Sequence, residues 1–447
     1  MTVLHTLSRF MGHSSDDRRL QSDIGAEGTD TGADRPNIVI VLTDDMRDSD
    51  WQALPRTQEL INEQGTVFPN FFLTTAVCSP SRASILTGLY AHNHGVTRNS
   101  GKNGGADQYK QRNLAERSLP NALKQVGYRN GLFGKFMNGM SEKGGIPGAW
   151  DRWMASAELA YYSPLMNDNG KPRDFQQKSQ YSTDLIAGRA VEFIRDTAAE
   201  TPLFLLFAPK APHGPSIPAR RHRGTFGGAQ RERSPDVNEA DVSDKPAVVR
   251  GGKDVGLGKL DGLERKRLET LVSVDEAVER VVGTLDEEGR LDNTYIFVLS
   301  DNGYMMGSHR LMQKGLAYRE STQVRMAVRG PAFPSGIDER VTANIDIAPT
   351  IVDLAGAALP NPDGLSLAGA FARDAVLLEG FGGNDAYQAV RTARHLYVEY
   401  TKGGRELYDY EVDPYELDNL LPADEAAAAP LVARLNALRG CIGSGCS

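Results

Sequence analysis

Two stretches of the chain end in a way that could hold a metal ion. "PNIVIVLTDD" closes on Asp44 and Asp45, and "TYIFVLSDNG", far downstream, closes on Asp301 and Asn302. Three carboxylates and an amide form a hard, all-oxygen donor set that suits Ca²⁺ or Mg²⁺ better than zinc. Taken singly, an Asp-Asp pair is a common turn or helix cap. The repetition of one design at the ends of two apolar runs is what points to a metal. A third feature is Cys78, in "TTAVCSPSRASILTGLYAHNHG", the only cysteine before the chain's last few residues. A solitary cysteine is more often a small buried hydrophobe than a nucleophile. Here, however, Arg82 follows four residues on. If a helix begins at Cys78, that guanidinium lies one turn away and can reach back to the thiol and the carboxylates. Lys135 in "GLFGKFMNG", His213 in "APHGP" and Lys314 in "HRLMQKG" follow apolar segments and could bring further cations to an anionic substrate. Each alone reads as a surface residue. His92 and His94, in "YAHNHG", read as groups that orient neighbours or cap a helix.

The elements that must position these residues are legible as an alternation. "PNIVIVLT", "TYIFVLS" and "PLFLLFA" are continuous apolar runs, the pattern of strands buried on both faces. Between them lie helical patterns: "LPNALKQVGY", "STDLIAGRAVEFIRD" and "LERKRLETLVSVDEAVERVVGTLDEEG". Strands alternating with helices predict an α/β fold, a sheet between two layers of helices. Ligands in such sheets sit beyond the carboxyl ends of the strands, where all the polar endings would gather. Residues 216–258, rich in Arg, Gly and Pro, predict a long surface loop that walls the pocket. After "NIDIAPTIVDLAG" the pattern shifts to short strands, "VLLEGF", "YQAVRTARHLYVEY" and "RELYDYEVDPYELDNLL", and then to an Ala-rich helix. The expected organisation is therefore a polar leader over 1–34, a main α/β domain over 35–358, and a smaller C-terminal antiparallel α+β unit over 359–447.

Composition narrows the function classes. The 447 residues are 40% hydrophobic and 24% charged, with a formal net charge of -8, so neither nucleic acid nor an anionic membrane is broadly attracted. An anionic ligand must be held by a local cluster of cations. No run is apolar enough to span a bilayer or to form a signal-peptide core, which predicts a cytoplasmic protein. Three cysteines make no disulfide framework and no zinc spacing. Cys441 and Cys446, in "GCIGSGC", could pair, but an inert frayed tail is the plainer expectation.

The string "CSPSRASILTG" resembles the Cys-x-Pro-x-Arg signature of the sulfatase family, and the resemblance continues from Asn37 to Leu420. "RPNIVIVLTDD", "GYRNGLFGKFMNG", "APHGP", "SDNGYMMG", "NIDIAPTIVDLAG" and "ELYDYEVDPYELDNL" match that family's motifs in order. Through "GKFMNG" and the segment from "LERKRLETLV" to "SDNGY", the chain is most similar to the N-acetylglucosamine-6-sulfatase and heparan endosulfatase branch. The resemblance implies an alkaline-phosphatase-like core and a small sulfated substrate, with aryl sulfates as artificial substrates. It also implies that a maturation enzyme oxidises Cys78 to formylglycine. A hydrated aldehyde offers two hydroxyls on one carbon. One can attack sulfur; the other, deprotonated, can eject sulfate. Calcium would be bound by Asp44, Asp45, Asp301, Asn302 and the modified Cys78. Arg82, Lys135, His213 and Lys314 would hold the formylglycine or the sulfate, with His213 or Lys314 assisting the departing alcohol. Many sulfatases carry a histidine two residues after the lysine of the "GK" motif, where this chain has Met137. The base is then another group, such as His309, in "GSHRL", or a metal-bound hydroxide, or the deprotonation is less assisted. Two other readings use the same residues: a phosphonate monoester or phosphodiester hydrolase, and a catalytically silent protein that binds sulfated ligands.

Overall fold

The computed structural model describes residues 35–156, 159–175 and 180–446; the leader expected over 1–34 lies outside them. The apolar run after Pro36 forms strand β1 (Asn37–Thr43), buried along its whole length. Successive side chains of a strand point to opposite faces, and here both faces are covered. Ile38, Ile40 and Leu42 pack in one core with Phe204, Leu206 and Leu299, while Val39 and Val41 pack in another with Leu205, Phe207 and Val298. Each such side chain, fully buried, contributes about 1.5–3 kcal/mol relative to exposure. Three more strands repeat the pattern: β2 (Arg129–Lys135), β3 (Leu203–Ala208) and β4 (Thr294–Ser300). They lie side by side in the order β4-β1-β3-β2, all parallel, at the centre of an eleven-stranded mixed sheet. The strand Gln323–Arg329 joins β4 antiparallel and makes the sheet mixed.

Helices cover the two faces. On one lies α1 (Cys78–Thr87), with Ala83, Ile85 and Leu86 in the first core. On the other lie α2 (Ser182–Arg195) and the 31-residue α3 (Leu257–Glu287), whose Ile186, Phe193, Leu268 and Val278 share the second core. Every residue of α1 is buried although four are serine or threonine. Burial is tolerated because the hydroxyls are paired: Ser79 with Asn138, Ser81 with Asn344, Ser84 with His94, and Thr87 with the carbonyl of Ala83. The helix ends at Gly88, whose φ of 70° is the left-handed conformation that closes a helix without a Cβ clash.

The C-terminal part is a four-stranded antiparallel sheet, Ala375–Gly380, Tyr387–Thr392, His395–Tyr400 and Arg405–Asp409, covered by the helix Glu425–Leu438. Its core takes in Phe72, Tyr90 and Met305 from the main part, so the two share apolar packing. The tail differs from the frayed end expected of it: Cys441 and Cys446 form a disulfide and Cys446 is fully buried. The Cys441 carbonyl accepts hydrogen bonds from His92 Nε2 (3.0 Å) and Asn93 Nδ2 (2.9 Å), tying the tail to the segment after α1. Residues 216–258 are largely irregular, as expected, yet Arg231, Asp236, Glu239 and Lys245 are buried, so this loop is partly structural.

Candidate active site

Strand register decides how the site is assembled. Thr43 of β1 pairs with Ser300 of β4, so the chain leaves adjacent strand ends with Asp44 and Asp301. On the other side of β1, the loop after β3 turns back: Asp44 N–H donates to the Ala211 carbonyl at 3.2 Å, which brings His213 over the same edge. One strand further, β2 ends on Lys135 itself, whose ammonium pairs with Asp44 Oδ2. Lys135 is thus itself a strand terminus.

From the opposite direction comes α1, whose first residue is Cys78. Its Sγ lies 3.5 Å from Asp44 Oδ1 and 2.9 Å from Lys314 Nζ. Arg82, one turn on, points the same way, as the i, i+4 relation of a helix requires. Its Nε donates to Asp301 Oδ2 (2.8 Å), its Nη1 to the Lys135 carbonyl (2.6 Å), and its Nη2 stands 3.9 Å from Asp44 Oδ2. Lys314 also pairs with Asp45 Oδ1, and Asn302 Nδ2 donates to that same oxygen at 2.5 Å. His213 Nε2 is 3.7 Å from Asp45 Oδ2. Its Nδ1 faces the Gly214 carbonyl at 2.9 Å, an arrangement that keeps the proton on Nδ1 and leaves Nε2 toward the carboxylates.

Asp44, Asp45, Cys78 and His213 bring donor atoms within 4.8 Å of one another, a cluster able to hold a metal ion. Two buried polar atoms beside it lack partners: the amide oxygen of Asn302 and Nη2 of Arg82. An open oxygen acceptor among carboxylates fits a hard cation, and an open guanidinium N–H fits an anionic oxygen. Burial pushes the carboxyl of Asp44 up, but Lys135, His213, Lys314 and Arg82 outweigh it and hold the group well below the usual range. Burial and the charge of Asp44 push Asp301 up. Burial and Asp44 also raise the Cys78 thiol, so the unmodified side chain is a poor source of thiolate. Burial alone would lower Lys314, but Asp45, Cys78, Asp44 and Asp301 keep it firmly charged.

One sequence expectation comes out differently. His309 faces away from the Asp44–Cys78 cluster: Nδ1 sits 2.6 Å from Glu239 and Nε2 3.7 Å from Glu416, and its ring stacks near Tyr318. Its environment is therefore a buried ion-pair cluster. Met137 is buried in the first core. His92 pairs with Glu379 and His94 with Ser84, structural roles as expected of them. One residue that sequence reasoning missed is Arg267, on α3. Asp45 has a φ of 67°, unusual for a non-glycine residue. The buried Arg267 donates to the Asp45 carbonyl and, at 2.7 Å, to Asp50 Oδ2. An arginine inside a 31-residue helix carries no local signal of this task.

Residues 36–357 match the sulfatase family model. N-acetylglucosamine-6-sulfatase of Capra hircus is 31% identical over 485 residues, covering 95% of this chain and 87% of that protein. The extracellular sulfatase SULF-1 homolog of Drosophila melanogaster is 34% identical over 381 residues, covering 82% of this chain and 34% of that protein. Among solved structures, one in complex with its substrate D-glucosamine-2-N,6-O-disulfate shares the fold, with a TM-score of 0.77 and 24% identity over 90% of this chain and 97% of that one. A relative named as extracellular overturns the cytoplasmic expectation. That expectation rested on the lack of an apolar leader, which is no evidence of compartment; a disulfide at Cys441–Cys446 also suits an oxidising one. No helix among the described residues is long and apolar enough to cross a membrane. With its alkaline-phosphatase-like core and these relatives, the chain belongs to the sulfatase family and is a sulfuric ester hydrolase.

Proposed function

We propose that the protein hydrolyses the 6-O-sulfate of a glucosamine-type sugar, with Cys78 oxidised to formylglycine by a maturation enzyme and Ca²⁺ held by Asp44, Asp45, Asp301 and Asn302. The observation that carries this reading is the convergence of Asp44, Asp45, Cys78 and His213 within 4.8 Å, bordered by the cations of Arg82, Lys135 and Lys314. When bound, the ion neutralises charge on the sulfate and the hydrated aldehyde supplies the attacking hydroxyl.

The remaining work falls to side chains already in place. The open Nη2 of Arg82 and the ammonium groups of Lys135 and Lys314 bind the sulfate oxygens and stabilise the charge that grows on them. The ordering cost is small because Arg82 and Lys135 are buried, Lys314 is partly buried, and all three are already held by carboxylates. His213, a third exposed, is the group that faces both solvent and the cluster. When the ring carries both protons, Nδ1–H stays on the Gly214 carbonyl and the Nε2 proton is the one handed to the departing alcohol oxygen. Lys314 remains protonated and acts through its charge. The named extracellular relative supports work outside the cytoplasm, where a sulfated saccharide would be met directly.

Mass spectrometry of the tryptic peptide containing Cys78, from the native host, tests the modification: the side chain should have lost its sulfur and gained an aldehyde. Sulfate release from a panel of sulfated monosaccharides tests the substrate, and glucosamine 6-sulfate should be the preferred member. An unmodified thiol in active enzyme would refute the nucleophile, and a preference for sugars lacking a 6-sulfate would refute the substrate.

A further inference from the structure

Two connected cavities open beside the site. The nearer, about 350 Å³, is lined by Lys314, Val77 and Asn99; Asn99 accepts a hydrogen bond from the N–H of Ser79, next to Cys78. The farther, about 700 Å³, shares Thr97, Arg98, Phe381 and Gly383 with the nearer one and continues past Lys102 and Arg112. One wall of both comes from the main domain and the other from the loop after the strand Ala375–Gly380.

The charges lining them are one-sided. Among the described residues no carboxylate lines the farther cavity, and Asp385 is the only one lining the nearer. Arg98 donates Nη2 to the Phe381 carbonyl at 2.9 Å, which steadies it without neutralising it. Among the described residues no ion pair is formed by Arg98, Lys102 or Arg112, although most of the other arginines of this chain have a carboxylate partner. His92, also on this wall, is paired with Glu379 and adds no unbalanced charge. Three uncompensated cations in one concavity of a chain with net charge -8 form a local anion-binding surface.

Resting on the reading of the site above, we propose that the farther cavity is a second subsite, which binds an anionic sugar adjoining the one whose sulfate is removed. Arg98 spans the junction between the two cavities, and Lys102 and Arg112 meet the carboxylate or sulfate of the neighbouring residue. The substrate class is then an anionic oligosaccharide, not an isolated monosaccharide. The cations are exposed and hydrated, so the subsite contributes selectivity that is screened by salt.

The test uses matched disaccharides of glucosamine 6-sulfate in which the adjoining sugar carries a carboxylate, a sulfate or only hydroxyls. For the full-length enzyme, kcat/KM should be higher for the two charged forms, and the advantage should shrink as salt rises. In the double variant Lys102→Gln/Arg112→Gln the ratio of charged to neutral should fall about tenfold. Binding of the charged disaccharide without its 6-sulfate, followed by titration calorimetry, should weaken by a similar factor. This second readout needs no turnover. Unchanged binding and an unchanged ratio in the double variant would overturn the subsite while leaving the sulfatase reading standing. Weakened binding in an enzyme that releases no sulfate would support the subsite and refute that reading.

Discussion

Substitution of His309 isolates a buried charge that holds the Lys314 loop in place. His309 is 1% exposed, and burial alone would lower its pKa. The carboxylates of Glu239 and Glu416 outweigh that and raise it from 6.5 to about 9. A raised folded-state pKa stabilises the protonated native form. The contribution is therefore complete below pH 6.5, the unfolded value, and is lost as pH rises through 9. At about 1.36 kcal/mol per pKa unit, it amounts to about 3 kcal/mol. With an unfolding entropy of about 2.1 cal/mol/K per residue over 447 residues, this corresponds to about 3 °C in Tm. The variant His309→Gln removes the charge while leaving both glutamates partnered. Glu239 keeps Lys245 at 3.3 Å, and Glu416 keeps the Arg319 N–H at 3.1 Å and the Tyr410 hydroxyl at 2.5 Å. Urea unfolding of both proteins at several pH values between 6 and 10 measures the difference directly. His92 is also raised, by its bonds to Glu379 against the effect of burial, so the comparison with the variant is what isolates His309. The gap should be about 3 kcal/mol at the acid end and close toward zero above pH 9. A gap independent of pH would refute the argument that His309 acts through its charge.

Arg267→Met should strip the Asp45 carbonyl and Asp50 of a donor, costing about 3–5 kcal/mol of stability in denaturant titrations. Calcium affinity by titration should fall about 10–100-fold, and Arg267→Lys should recover part of it. Cys78→Ala should reduce sulfate release to background while circular dichroism shows an unchanged fold, because Lys314 keeps Asp45 as its partner. Prolonged treatment with a strong calcium chelator should abolish sulfate release and calcium readdition should restore it, since the unpaired oxygen of Asn302 and the neighbouring carboxylates are then left without their cation. The double variant Cys441→Ser/Cys446→Ser should lose about 2 kcal/mol, read as a lower Tm than that of the oxidised protein.

Much of this protein was determined locally. The apolar runs of β1, β3 and β4 are long enough to be buried on both faces, and hydrophobic periodicity is a property of neighbouring residues. The α/β class and the strand ends at Asp44 and Asp301 could therefore be read directly. The helix at Cys78 and the position of Arg82 one turn later follow from the same short-range geometry. The direction of His309 does not. Whether an imidazole meets a metal site or two glutamates depends on Glu239 in an irregular loop and Glu416 beyond the C-terminal sheet, each distant along the chain. Arg267 is silent in sequence for the same reason: its partner is a backbone carbonyl more than two hundred residues away. The tail disulfide and the cationic cleft likewise exist only because the C-terminal sheet docks on the main core. Residue type and spacing set which chemistry was available; tertiary packing decided which of those groups share one desolvated space, because electrostatic and hydrogen-bond energies depend on distance in space and on burial, neither of which sequence order specifies.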